Sequence, residues 1–234
     1  LGAPLVPNGK NLTHFISLLR EIDHVQIIRI GTKVPAFNPF RILNDPSLLE
    51  MFKTYSTDEK KIYIMAHFNH PRELTPEATE GLNLLMKSEV SLVNQTPMVK
   101  GVNDDPEVLA ELFSKLSYIG VPPYYVFLCR PTLGNETYSV PVERGYEIFE
   151  KSRTLCSGLA KRARLVMSHE SGKIEAVGMT EDQIFFKFLR AADKINDARF
   201  MAFFRNPEAC WFDDYQEASD EFSLFSQTVR AGCS

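Results

Sequence analysis

The sequence predicts an α/β protein: an incomplete parallel (β/α) barrel over residues 1–155, then a β-rich C-terminal extension over 156–234. Three observations predict it. Apolar residues at helical spacing alternate with short β-branched runs through the first two-thirds of the chain. The strand–helix pair recurs about every 30 to 37 residues, the spacing of parallel βα units. After Cys156 the helical spacing gives way to short apolar runs joined by turn residues. A closed eight-unit barrel takes roughly 250 residues, so four units make half of one.

Each element has its own signal. Leu12, Phe15, Ile16, Leu19 and Ile22 recur on one helical face, so a helix ends near Ile22, and residues 25–30 follow as a strand. Asp45-Pro46 starts a helix, with an N-cap acceptor and a proline at the first turn, and Leu48, Leu49 and Phe52 form its apolar face. Residues 62–66 are the next strand. Thr75-Pro76-Glu77 opens a helix that buries Leu82, Leu85 and Met86. A strand at 90–93, a helix at 106–116, a strand at 124–128 and a helix at 142–153 complete the barrel portion. In the extension, residues 164–169, 173–177, 183–189 and 199–204 read as strands, with Glu170-Ser171-Gly172 a hairpin turn. From Asp213 onward the tail is acidic and is expected to be mobile.

Composition excludes several classes. With 44% hydrophobic and 24% charged residues the chain is an ordinary globular one, neither disordered nor disulfide-dense. A net charge of −4 gives nucleic acid no electrostatic purchase. No apolar run reaches the roughly 18 to 20 residues that cross a bilayer. Cys129, Cys156, Cys210 and Cys233 are scattered outside metal-ligand spacing, so they read as reduced thiols of a cytoplasmic protein, with no metal site. The sequons at Asn11, Asn94 and Asn135 are then coincidental. The chain starts Leu1-Gly2-Ala3-Pro4-Leu5, with no Met and no signal pattern, and reads as the remainder of something longer. Half a barrel leaves open sheet edges and apolar faces, which favour self-association into a homo-oligomer.

Reactive groups of parallel βα proteins gather after the C-terminal ends of the strands. Four such loops bring polar residues to one rim: Arg29 to Lys33, His67 to Pro71, Asn94-Gln95-Thr96 with Lys100 to Asp105, and Cys129-Arg130-Pro131. His67 and His70 are three apart, yet lack a nearby Asp or Cys to complete a tetrahedral set, so they read as hydrogen-bonding loop histidines. His14 and His24 read as structural.

Together these segments resemble one family. Arg29-Ile-Gly-Thr32, His67-Phe-Asn-His-Pro71 with Glu73 and Thr75, Asn94-Gln-Thr96, Lys100-Gly-Val-Asn-Asp104, Pro123-Tyr-Tyr125 and Ser157-Gly158 are similar to the lysine 2,3-aminomutase family of radical S-adenosylmethionine enzymes. The match is collinear to about Gly178. The resemblance implies a partial barrel of the radical S-adenosylmethionine type. It also implies an isomerase that cleaves S-adenosylmethionine at a [4Fe–4S] cluster and shifts an amino group carried by pyridoxal phosphate. Arg29, His67, Asn69 and Gln95 match the S-adenosylmethionine rim. The family's Cys-x3-Cys-x2-Cys cluster loop is not in this chain. Gly2-Ala3-Pro4-Leu5 resembles the end of the family's Gly-Gly-Asp-Pro-Leu motif, with Ala3 in the place of the aspartate, so the cluster loop would lie upstream.

By the same resemblance Lys173, in Ser171-Gly172-Lys173, is the lysine that forms a Schiff base with pyridoxal phosphate, with one glycine left of the family's glycine-rich turn. From its position alone, a lysine at a hairpin shoulder is a solvated charge. Lys161, Arg162 and Arg164 are candidates for the phosphate's positive surroundings. Lysine-specific members hold the substrate ammonium with two aspartates. Here Arg130, after Cys129, stands in one place, and the other falls at or near Met167. Arginine repels an ammonium and binds a carboxylate through paired charge-assisted hydrogen bonds, so an acidic amino acid such as glutamate is the expected substrate. An ion pair of Arg130 with Glu136 or Glu143 is the structural alternative. Two other functions stay open: a non-catalytic ligand-binding relative, and a barrel hydrolase or lyase using His67 and His70 with a metal.

Overall fold

The computed structural model describes residues 9–218. The Gly2–Leu5 segment and Cys233, both used above, lie outside the described residues. Along the chain stand α1 (Gly9–Arg20), β1 (Ile27–Thr32), α2 (Val34–Phe37), α3 (Phe40–Leu43), α4 (Pro46–Tyr55) and β2 (Lys61–Ala66). Next come α5 (Pro76–Met86), β3 (Ser91–Pro97), α6 (Pro106–Ile119), β4 (Pro123–Phe127) and α7 (Val142–Thr154). The strands β5 (Arg164–His169), β6 (Gly172–Met179), β7 (Gln183–Ala191) and β8 (Phe200–Phe204) close the order. The strands are neighbours in chain order, β1 to β3 in one run and β5 to β8 in another. The described chain forms two compact units, one of residues 9–96, 105–125 and 152–163, the other of 97–104, 126–151 and 164–218.

In the first unit β1, β2 and β3 run parallel, with Ile30 opposite Ile64 and Ile64 opposite Leu92. Parallel neighbours require crossovers, which α4 and α5 supply. Three helices start at an oxygen cap followed by proline. Asp45 accepts from the Leu48 N–H at 3.1 Å, Thr75 from Ala78 at 3.1 Å, and Asp105 from Glu107 at 2.8 Å. Leu48, Phe52, Leu82, Leu85, Leu109 and Phe113 form the buried helix faces. The four-residue helices α2 and α3 carry too little periodicity to read from sequence. Packing places them, with Val34, Pro35 and Ile42 buried.

Strand β3 corrects one expectation. It continues to Pro97, so Asn94 and Gln95 lie within a strand and not on a loop after it. The reason is pairing: the Asn94 N–H donates to the Pro122 carbonyl at 2.9 Å, and the Asn94 side chain finds buried partners of its own. Arg29 likewise lies inside β1.

In the second unit β5 to β8 form an antiparallel meander. Phe186, Phe203, Phe212 and Tyr215 pack edge to face, with centroids 5.1–6.3 Å apart. Of the tail expected to be mobile from Asp213, residues 213–218 are ordered, and the rest lies outside the described residues. The Phe204 N–H donates to the Gln216 carbonyl at 3.0 Å, and Ala218 donates to Ala202 at 2.9 Å. Its backbone continues the edge of β8, which an acidic composition could not disclose.

Candidate active site

In the first unit the rim is built from strand ends. Side chains on one face of the parallel strands run Arg29–Tyr63–Ser91 and Gly31–Met65–Val93 in register, with Gln95 following Val93. His67 shares that face: a Cβ added at Gly31 would lie 3.9 Å from its Nε2. Gln95 hydrogen-bonds the His67 ring. Burial, and after it the charge of Lys33, hold the imidazole below its usual value, against that bond. Arg29, His67 and Gln95 therefore line one face.

Asn69 sits on the loop beyond, which two residues hold. Glu73 accepts the Asn69 N–H at 2.6 Å and the His70 N–H at 3.3 Å, and it pairs with Lys33 at 2.6 Å. Asn94, almost fully buried, accepts from the Phe68 N–H at 2.9 Å and donates back to the Phe68 carbonyl at 3.3 Å. His70 caps the turn, its Nδ1 accepting from the Arg72 N–H at 3.1 Å. Sequence reading did not single out Glu73 or Asn94 as positioning groups. The His-x-x-Glu spacing of a capping box was the available signal for Glu73.

In the second unit the antiparallel pairing sets Lys173. It stands opposite Ser168 on β5 and opposite Arg190 on β7, so the three side chains leave one face. Its ammonium lies 4.7 Å from the centroid of the Phe127 ring. The preceding Gly172 has φ +143°, and a Cβ there would come 2.2 Å from the Arg190 carbonyl oxygen. The one glycine left in the turn is the one this geometry requires.

Phe127, Cys129, Arg130, Asn135, Ser168 and Trp211 wall a cavity of about 400 Å³, and no carboxylate lines it. Among the described residues Arg130 has no ion-pair partner. Glu143, the alternative considered for it, is buried and held by Arg205 at 2.9 Å, and Glu136 accepts from the Gly134 N–H. Burial pushes the Cys129 thiol up, so it stays protonated, donating to the Met98 carbonyl. Met167 lies opposite Ile174, fully buried on the face away from Lys173, and the adjoining Ser168 is the residue of that strand that lines the cavity. Arg164 pairs with Glu175 at 3.7 Å, and the cation next to Lys173 is Arg190.

No model of a known protein family matches the chain. A protein of Aquifex aeolicus, provisionally named L-lysine 2,3-aminomutase, is 54% identical over 222 residues, 94% of this chain and 59% of that one. The chain belongs to the lysine 2,3-aminomutase family. The L-lysine 2,3-aminomutase of Clostridium subterminale is 41% identical over 157 residues, 67% of this chain and 36% of its own. The glutamate 2,3-aminomutase of Clostridioides difficile is 35% identical over 171 residues, 73% of this chain and 39% of its own. The chain thus spans 36–59% of the length of these relatives. Among the described residues no helix is long and apolar enough to cross a membrane, and no three His, Cys, Asp or Glu side chains group as a metal site.

Proposed function

We propose that this chain is the part of a radical S-adenosylmethionine, pyridoxal phosphate-dependent amino acid 2,3-aminomutase that carries the cofactor lysine and the substrate's distal-group clamp. Its substrate is an acidic amino acid, glutamate before lysine. One observation carries the reading: Arg130 lines, with no carboxylate beside it, the cavity that shares Phe127 with the Lys173 ammonium. The parallel strands are read as part of the family's barrel.

The residues present suit pyridoxal phosphate. Lys173 would bind it, Arg190 would offer a second cation on the same face for its phosphate, and Ser168, opposite Lys173, would be a hydroxyl partner. When bound, the cofactor supplies a delocalising carrier for the migrating nitrogen. Arg130 binds the distal carboxylate in a fork of two hydrogen bonds, while Phe127 and Trp211 keep water from the reacting carbons. Arg29, His67, Asn69 and Gln95 are assigned to S-adenosylmethionine. The described cysteines do not suit a [4Fe–4S] cluster: Cys156 is buried against the Ala110 carbonyl, and Cys129 and Cys210 are held protonated by burial. No step is derived through it.

The test is turnover by the complete protein under anaerobic, reducing conditions with both cofactors supplied. Glutamate should give 3-aminoglutarate, the product of moving the α-amino group to the β-carbon. Exclusive turnover of lysine would reject the acidic substrate, and no isomerisation of either amino acid would reject the function.

A further inference from the structure

Part of the cavity wall comes from a short segment after β8. Trp211 there is the chain's one tryptophan, is 7% exposed, and lines the same cavity as Arg130 and Ser168. Its place is fixed from three sides. The Trp211 and Cys210 N–H groups both donate to Asp214 Oδ2, at 2.9 and 3.0 Å. The ring packs against His169, centroids 6.2 Å apart, and the adjoining Phe212 packs against Phe203 at 5.1 Å. His169 Nδ1 accepts the Ser171 N–H at 3.1 Å, so Nε2 carries the proton and donates to Asp213 at 3.0 Å. One bond pattern thus ties the hairpin presenting Lys173 to the segment presenting Trp211.

We infer that Trp211 is a specificity-determining residue of this cavity and that the His169–Asp213 pair is the positioning contact that sets its ring, so that the site accepts a five-carbon distal acid and rejects a longer one. The inference rests on the proposed anionic substrate and deepens it. The chemistry is an aromatic wall of fixed position in the same cavity as an arginine. Arg130 rewards the distal carboxylate, and the wall limits how far from the reacting end that carboxylate can lie. A single methylene is worth roughly ten- to two-hundredfold in an apolar pocket of set size.

Because Trp211 is the only tryptophan, its emission reports the site directly. Glutarate added to the 234-residue chain should change that emission saturably, and Arg130→Ala should abolish the change while leaving the emission of the free chain as it was. By calorimetry, glutarate should bind about tenfold tighter than adipate. Trp211→Ala should erase that preference and Trp211→Phe should keep it. Asp213→Asn should shift the free emission to the red and weaken the preference, with rescue by Asp213→Glu. Glutarate binding without any change in emission, or no glutarate binding, overturns the inference, as does an unchanged preference in Trp211→Ala. If these results hold but the complete protein isomerises neither glutamate nor lysine, the proposed reaction fails while the anion site and its wall stand.

Discussion

Ser168 on β5 and Lys173 on β6 stand directly opposite each other, one pair before the hairpin turn, with Met167 facing the other way. This fixes where a second acid would have to sit to convert the site to an ammonium clamp. In the complete protein Arg130→Asp should reduce the preference for glutamate over lysine by roughly ten- to a hundredfold, the worth of a charge-assisted pair of about 1.5–3 kcal/mol. Adding Ser168→Asp should raise lysine turnover further. Met167→Asp should instead unfold the protein at lower temperature, since it buries an unpaired charge. Competition assays decide it, and better lysine use with Asp at 167 than at 168 would refute the facing deduced from the register.

Borohydride reduction of the protein loaded with pyridoxal phosphate should fix the cofactor on Lys173, read by peptide mapping, and Lys173→Ala should lose the visible absorbance. Lys187 is the informative control, because it lies opposite Glu175 and Phe200, away from the Ser168–Lys173–Arg190 row. Label on Lys187 or Lys161 would remove Lys173 from the role.

Gly172→Ala should cost about 1–3 kcal/mol or more in stability. Its Cβ would meet the Arg190 carbonyl at 2.2 Å, and φ +143° is a region that L side chains rarely adopt. The hairpin must open at the residue before Lys173, so cofactor affinity should fall with stability. Denaturant titration showing less than about 0.5 kcal/mol of loss would contradict the close approach.

His67 gives the first unit a pH dependence of definite sign. Its folded-state value is lowered from 6.5, so the unfolded chain binds the proton more readily. Stability is then fully present above about pH 6.5 and falls as the pH drops through 6.5 toward the lowered value. His67→Gln should flatten that part of the stability curve. A steeper fall in the variant would show that the histidine is stabilised in its charged form.

Asn94→Ala should destabilise by about 1–3 kcal/mol, because the buried Phe68 N–H loses its acceptor. The Thr96 hydroxyl still donates to the Phe68 carbonyl at 2.9 Å, which limits the damage to one group. Amide exchange at Phe68 and Asn69 should quicken before the rest of the unit opens, and unchanged protection there would rule out the clamp.

The sequence by itself determined the elements whose signals are local. Asp45-Pro46, Thr75-Pro76 and Asp105-Pro106 each place an acceptor and a preset φ where a helix must begin, and those helices begin there. The motif from His67 to Pro71, with Glu73, pointed to the family, and Arg130, in a place where the resemblance puts an aspartate of lysine-specific members, argued for a distal anion. Tertiary structure decided what depends on pairing across distance. Asn94 and Gln95 joined β3 because a neighbouring carbonyl continues the ladder. The facing of Ser168 over Met167 follows from antiparallel register, in which a slip of one residue exchanges the two faces of a strand. Trp211 reached the cavity only because Asp213 and Asp214, acids that read as a solvated tail, close hydrogen bonds onto His169 and the backbone. The Asp214 bonds are a local cap, but the Asp213–His169 bond joins residues far apart in the chain, and no local pattern records it.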